Sequence, residues 1–236
     1  MRKALSVCAV FLISFGIIAL AYAPVSNQIA TVKNIKIISE FNTKRDNFLY
    51  SDDNDKSNVQ IDINRLYNDS IAYNNNLKKH QSELLSSDTY TYPSLNLADY
   101  GITDGVYGYI SAPSINMQLP IYLGASDYNM SIGAAHMTHT SLPVSGESTN
   151  VVLTAHTGYI GKVFFDNITK LQVDDEVMIT NYWTTLSYKV KEYKVTKNNQ
   201  SASCYIQKGK DLLTLITCIS DGNGGFDRYV VVCERN

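Results

Sequence analysis

Three residues at the ends of apolar runs carry side chains that can do covalent chemistry together: His156, Cys218 and Arg228. Cys218 closes the run "LLTLITC", and Arg228 opens the next one, "RYVVV", after the soft loop "SDGNGGFD". A strand–loop–strand there sets a thiol and a guanidinium on one rim. A thiol attacks as its thiolate and needs a base or an ionising partner within reach. His156 ends the run "VVLTAH" and enters the turn "TGY". The end of a strand in a rigid sheet holds such a side chain accurately. His80, on a predicted helix, and His139, in the loop "HMTHTSLP", read as surface or structural residues.

The other cysteines have quieter roles. Cys8 lies in an apolar N-terminal stretch, Cys204 in a loop before "YIQKGKDLL", and Cys233 in the last strand as a small hydrophobe. A Cys204–Cys233 disulfide is one pairing open to a protein outside the cell, and spacing does not fix connectivity. No CxxC, HExxH or Asp-rich calcium loop occurs, and no GxSxG or P-loop, so neither a metal site nor a cofactor is predicted. The net charge of −2, with no basic stripe, excludes nucleic acid as an expected partner.

Positioning these residues is the work of a β domain predicted over residues 106–236. The segments 107–115, 117–123, 149–156, 175–181, 185–196, 212–218 and 228–235 all read as short strands. In the fifth, Leu186, Tyr188 and Val190 alternate, and the phase then moves to Tyr193 and Val195. An inserted residue near Lys191–Glu192, a bulge, accounts for that shift. Phe164, Ile168 and Leu171 predict one short helix. Short, mostly antiparallel strands with few helices predict a closed barrel.

Upstream, Leu66, Tyr73, Leu77 and Leu84 form an apolar stripe that predicts a helix over 61–86, packed on the barrel. The Asn-rich "YNDSIAYNNNL" lowers its intrinsic propensity, so packing must hold it. Residues 61–105 thus read as a helical then extended segment, and 24–60, polar with the acidic piece "SDDNDKSN", as a flexible tether. Arg2 and Lys3 precede an uncharged stretch over residues 4–23, close to the ~20 residues that span a bilayer. The positive flank sets the N-terminus in the cytoplasm and the remainder outside the cell. Ala21-Tyr22-Ala23 also fits a cleavage site, but cleavable apolar cores run to about 7–15 residues. An uncleaved, single-pass membrane anchor over residues 1–23 is expected.

The same residues resemble a known family. "TLITC" with a later arginine opening the final strand is similar to the TLxTC…R motif of sortases, and "LTAHTG" to their histidine segment. "GYISAPSINMQLPIYLGAS" resembles their opening strands. "GAAHMTHTSLPVSGESTNVVLTAHTG" and the helical "AYNNNL" resemble the pilus-assembling class C in particular. The resemblance covers roughly residues 65–235. It implies a closed eight-stranded barrel and a Gram-positive surface cysteine transpeptidase that needs no cofactor. The implied substrate is a surface or pilin protein with an LPxTG-like sorting motif, and the acceptor an amine from a pilin lysine or a peptidoglycan precursor. Cys218 is then the nucleophile, His156 the acid and base, and Arg228 the oxyanion or backbone partner. Thr217, beside the nucleophile, is a candidate for substrate backbone binding, and His136, in "GAAH", a secondary site candidate. A free thiol and a free imidazole, at about 8.5 and 6.5, are both ionised in under about 1% of molecules at pH 7. A weakly coupled pair and slow turnover are therefore expected.

Several features depart from the pilus class. Thr157 follows His156 where that class usually carries arginine, and no Asp-Pro-aromatic lid tripeptide precedes the barrel; the nearest piece is "LADYG". An open groove is expected. Many members carry a second membrane helix at the C-terminus; here the tail is "RYVVVCERN", which with an N-terminal anchor resembles class B. Three alternatives stay open: a wall-anchoring sortase, a papain-like protease, and a non-enzymatic pilus assembly factor on the same scaffold. The papain-like order places Cys before His, the reverse of His156 and Cys218.

Overall fold

The computed structural model describes residues 2–50, 61–77, 79, 91–159, 161, 163–197 and 202–236. Eight strands close a barrel in the order β1-β2-β3-β4-β7-β8-β6-β5. They are β1 (Val106–Ala112), β2 (Met117–Leu123), β3 (Ala134–His136), β4 (Thr149–Thr154), β5 (Glu176–Asn181), β6 (Thr185–Thr196), β7 (Asp211–Ser220) and β8 (Phe226–Arg235). The barrel and seven of these strands match the expectation. The three-residue β3 does not appear in the periodicity, because a segment so short has no alternation to show. β2–β3 and β4–β7 pair in parallel, and the other six pairs are antiparallel. The parallel β4–β7 pair sets two strand C-termini side by side.

Alternation dictates the core. Val151, Leu153 and Ala155 of the β4 segment, Leu213 and Leu215 of β7, and Tyr229, Val231 and Cys233 of β8 point into the barrel. The bulge falls where the phase shift placed it: the β6–β8 register slips between Val190 and Glu192. Phe164, Phe165, Ile168 and Leu171 are buried in the barrel core, but only Ile168–Lys170 is helical, as a single 3-10 turn. The apolar positions were right, and the segment is too short to propagate an α-helix.

Two long helices pack outside the barrel. α1 (Arg2–Tyr50) is mostly exposed over residues 10–25, and from Val10 on it is long and apolar enough to cross a membrane. It corrects the expected tether: residues 24–50 continue the helix, and only 51–60 fall outside the described residues. Asn34, Ile38 and Phe41 are buried, and with half-buried Arg45 and Phe48 they form a stripe of helical period on one face. Phe41 meets Tyr109 edge-on at 5.9 Å and Tyr182 at 4.6 Å.

α2 (Ile63–Leu77) is shorter than expected; Leu84 and His80 lie outside the described residues. Asp62 caps it by accepting from the Arg65 N–H at 3.0 Å. Its asparagines explain how it is held. The Asn74 side chain donates to the Leu142 carbonyl at 2.9 Å and accepts from the Leu142 N–H at 2.8 Å. Ile63 and Leu66 join Phe41, Tyr100, Tyr107 and Tyr182 in a second core beneath both helices. "LADYG" belongs to this core as well. Leu97 and Tyr100 are buried in it, and the Tyr100 hydroxyl donates to Asp69 at 2.9 Å, so the piece is a strut.

Candidate active site

The register of β7 and β8 pairs Cys218 directly with Arg228. The hairpin between them is short and clamped: Asp221 accepts from the N–H groups of Asn223 and Gly225, both at 2.8 Å. Strand phase then turns both side chains outward. Leu213, Leu215, Tyr229 and Val231 fill the barrel, while Leu212, Ile216, Val230 and Val232 cluster on the outer face, in phase with Cys218 and Arg228. The Arg228 guanidinium N–H donates to Cys218 Sγ. A permanent positive charge thus stands against the sulfur, which is half-buried.

His156 arrives from the neighbouring parallel strand. β4 and β7 pair from Thr149↔Asp211 to Thr154↔Ile216, and two more residues of the same register set His156 abreast of Cys218. The pairing does continue: the Ala155 N–H donates to the Ile216 carbonyl at 3.3 Å, and the Thr217 hydroxyl to the Ala155 carbonyl at 2.8 Å. Paired strands run about 4.8 Å apart. Ala155 faces the barrel interior, and His156 follows it just beyond the end of β4, half-buried. The His156 ring lies 5.1 Å from that of exposed Tyr159.

Two expected residues stand elsewhere. Thr217 is turned inward by strand alternation and is buried, with its hydroxyl donating to the Ala155 carbonyl. It ties the strand of Cys218 to that of His156. His136 is fully buried on β3. Nδ1 pairs with the Ser94 hydroxyl at 3.2 Å and Nε2 with the Ser141 carbonyl at 3.0 Å. Burial lowers its pKa to about 4, which keeps it neutral. Both ring nitrogens are thus taken up by the interior of the fold.

Asp166 was missed. Oδ1 accepts from the Gly158 N–H at 2.7 Å and the Thr157 hydroxyl at 3.3 Å, and Oδ2 from the Phe164 N–H at 2.9 Å. The Phe165 N–H closes the same loop on the His156 carbonyl at 3.1 Å. One carboxylate thereby holds both ends of the loop that follows His156. The signal for it is faint: a single Asp amid apolar residues, in the class of side chain that bonds nearby backbone N–H groups.

Cys204 and Cys233 are free thiols, which sets aside the disulfide. Cys233 points into the barrel, while Cys204 sits in the 3-10 turn Ala202–Cys204 ahead of β7. Burial raises each thiol to about 12, which keeps both protonated and unreactive. No group of His, Cys, Asp and Glu among the described residues could hold a metal ion.

Comparison with known proteins agrees with this geometry. The model of the sortase domain matches residues 110–236. Sortase A of Bacillus anthracis is 28% identical over 157 residues, covering 65% of this chain and 72% of that protein. Among solved structures, sortase C-1 of Streptococcus pneumoniae superposes with a TM-score of 0.70 at 27% identity, over 85% of this chain and 98% of that one. The pilus-related sortase C of Group B Streptococcus gives 0.64 at 33% identity, over 74% and 89%. With its closed barrel and its motif-bearing strands, the chain belongs to the sortase family of cysteine transpeptidases and is closely related to the pilin-polymerising class C.

Proposed function

We propose that this sortase joins pilin subunits: it cleaves an LPxTG-like sorting motif and transfers the acyl fragment to a pilin lysine. The observation that carries the chemistry is the outward-facing Cys218–Arg228 pair abreast of the strand end that bears His156. Cys218 Sγ attacks the threonine carbonyl carbon, and a C–S bond forms. The Thr–Gly C–N bond breaks as His156 gives its proton to the departing glycine amine. The incoming amine then attacks the thioester, His156 takes its proton, and the thiolate leaves. Arg228 donates to the oxyanion of both tetrahedral intermediates, with a charge it cannot lose. The likeness to pilus-related sortases favours the pilin acceptor. α1 anchors the enzyme with its start in the cytoplasm, as Arg2 and Lys3 direct, and the barrel outside.

A competition experiment tests the acceptor. The full chain in detergent micelles receives an LPxTG-type peptide with equal amounts of a pilin-derived lysine peptide and a peptidoglycan stem peptide. Mass spectrometry should find the lysine conjugate in excess. A product made mainly with the stem peptide would assign the enzyme to wall anchoring.

A further inference from the structure

The loop after His156 is met from one further direction, by the membrane helix. The Gly161 N–H donates to the Asn27 side-chain carbonyl at 2.8 Å. Gly161 adopts φ +76°, and a Cβ there would stand 3.3 Å from Cβ of Ser26, tighter than nearly all side-chain contacts. Helix and loop backbone therefore touch directly. Asn27 lies about one turn beyond Ala23, the end of the apolar stretch, or roughly 6 Å along the axis at ~1.5 Å per residue. This contact is separate from the main seat of the helix. Beside it α1 stands off the barrel across a cleft of about 680 Å³, lined by Ile29, Lys33, Ile37, Tyr122 and Phe164 among others. The firm burial begins at Asn34 and Ile38.

We propose that α1 is a positioning element for catalysis. Its first turn beyond the apolar stretch, through Asn27 and Ser26, docks on Gly161 and fixes where His156 stands relative to Cys218. This rests on the reading of His156 as the acid and base. Asp166 holds the loop at Gly158 and Phe164, and Asn27 holds it at Gly161. Proton transfer to a leaving amine tolerates little displacement, and a misplacement near 1 Å costs up to ~10²-fold in rate. Anchoring and catalysis are then coupled, and a barrel cut free of α1 is a slower enzyme than the full chain.

The test uses the full chain in lipid nanodiscs, as wild type, Asn27→Ala, and Asn27→Asp, which keeps an acceptor oxygen. In Asn27→Ala, kcat with an LPxTG-type peptide should fall about tenfold while KM stays within about twofold. The melting temperature should not move, and Asn27→Asp should recover the rate. The Gly161 amide should exchange slowly in the wild type and Asn27→Asp, and fast in Asn27→Ala. An unchanged kcat in Asn27→Ala, or equal Gly161 exchange in all three proteins, overturns the proposal. A wild type that forms no thioacyl adduct would sink the transpeptidase reading instead, and the Gly161 exchange still decides whether the helix is docked.

Discussion

Cys218 and Arg228 meet because strand alternation and hairpin register leave them no other direction. Arg228 offers a planar fork, and lysine in its place keeps the charge but not that geometry. Arg228→Lys should lower kcat/KM by about 10²-fold, near the cost of removing one oxyanion donor. Steady-state kinetics with a sorting peptide will check this, and activity near wild type would reduce Arg228 to a source of charge. His156 and Cys218 end apolar runs and Arg228 opens one, so their places at strand ends were legible in the sequence. Thr217 lies between Ile216 and Cys218, which face out, so alternation along β7 turns it inward. His136 is a buried histidine held neutral, with its pKa lowered to about 4 by burial against about 6.5 in the unfolded chain. Between those values the unfolded state binds the extra proton. Its contribution is therefore full above pH 6.5 and is lost as pH falls toward about 4, up to ~3 kcal/mol in all. Melting temperature should decline over that window, and His136→Gln should flatten the decline. An identical pH slope in the variant would mean that other groups set it.

At the scale of elements, the loop from His156 to Asp166 is the part whose structure sequence periodicity could not describe. Its form comes from side-chain-to-backbone bonds, which leave no repeating pattern. Asp166 satisfies the N–H groups of Gly158 and Phe164 and the Thr157 hydroxyl. Thr157 stands where the pilus class usually has arginine, and here its side chain serves the loop's internal bonding. Asp166→Ala strands those donors at a cost of about 1–3 kcal/mol. Because the donors border His156, the variant should lose more in kcat than in KM. Urea unfolding and peptide kinetics together will separate the two effects, and equal losses in kcat and KM from an unstable protein would deny Asp166 a positioning role. The β6 bulge, by contrast, was readable because a phase shift from Val190 to Tyr193 writes itself into the sequence.

For the whole molecule, α1 joins a stretch long and apolar enough to cross a membrane to the barrel support in one continuous helix of 49 residues, about 74 Å long at ~1.5 Å per residue. The barrel was legible from its strands. The helical nature of 24–50 was not, since its buried stripe mixes Asn34 and Arg45 with Ile38, Phe41 and Phe48, and Pro24 opens it. Phe41 is fully buried between Tyr109 and Tyr182, and Phe41→Ala should cost about 3–5 kcal/mol. Denaturant unfolding of the full chain in micelles will measure it; a flexible tether would show no loss.

If Cys218 is the nucleophile served by His156 and Arg228, it forms a thioacyl bond with a sorting peptide. Intact-mass analysis of the full chain with an LPxTG-type peptide, beside Cys218→Ala and His156→Ala, addresses it most directly. An adduct of the acyl fragment is expected on the wild type, none on Cys218→Ala, and a much slower one on His156→Ala. An adduct that survives in Cys218→Ala, or a wild type that alkylates at Cys218 yet never acylates, would contradict it.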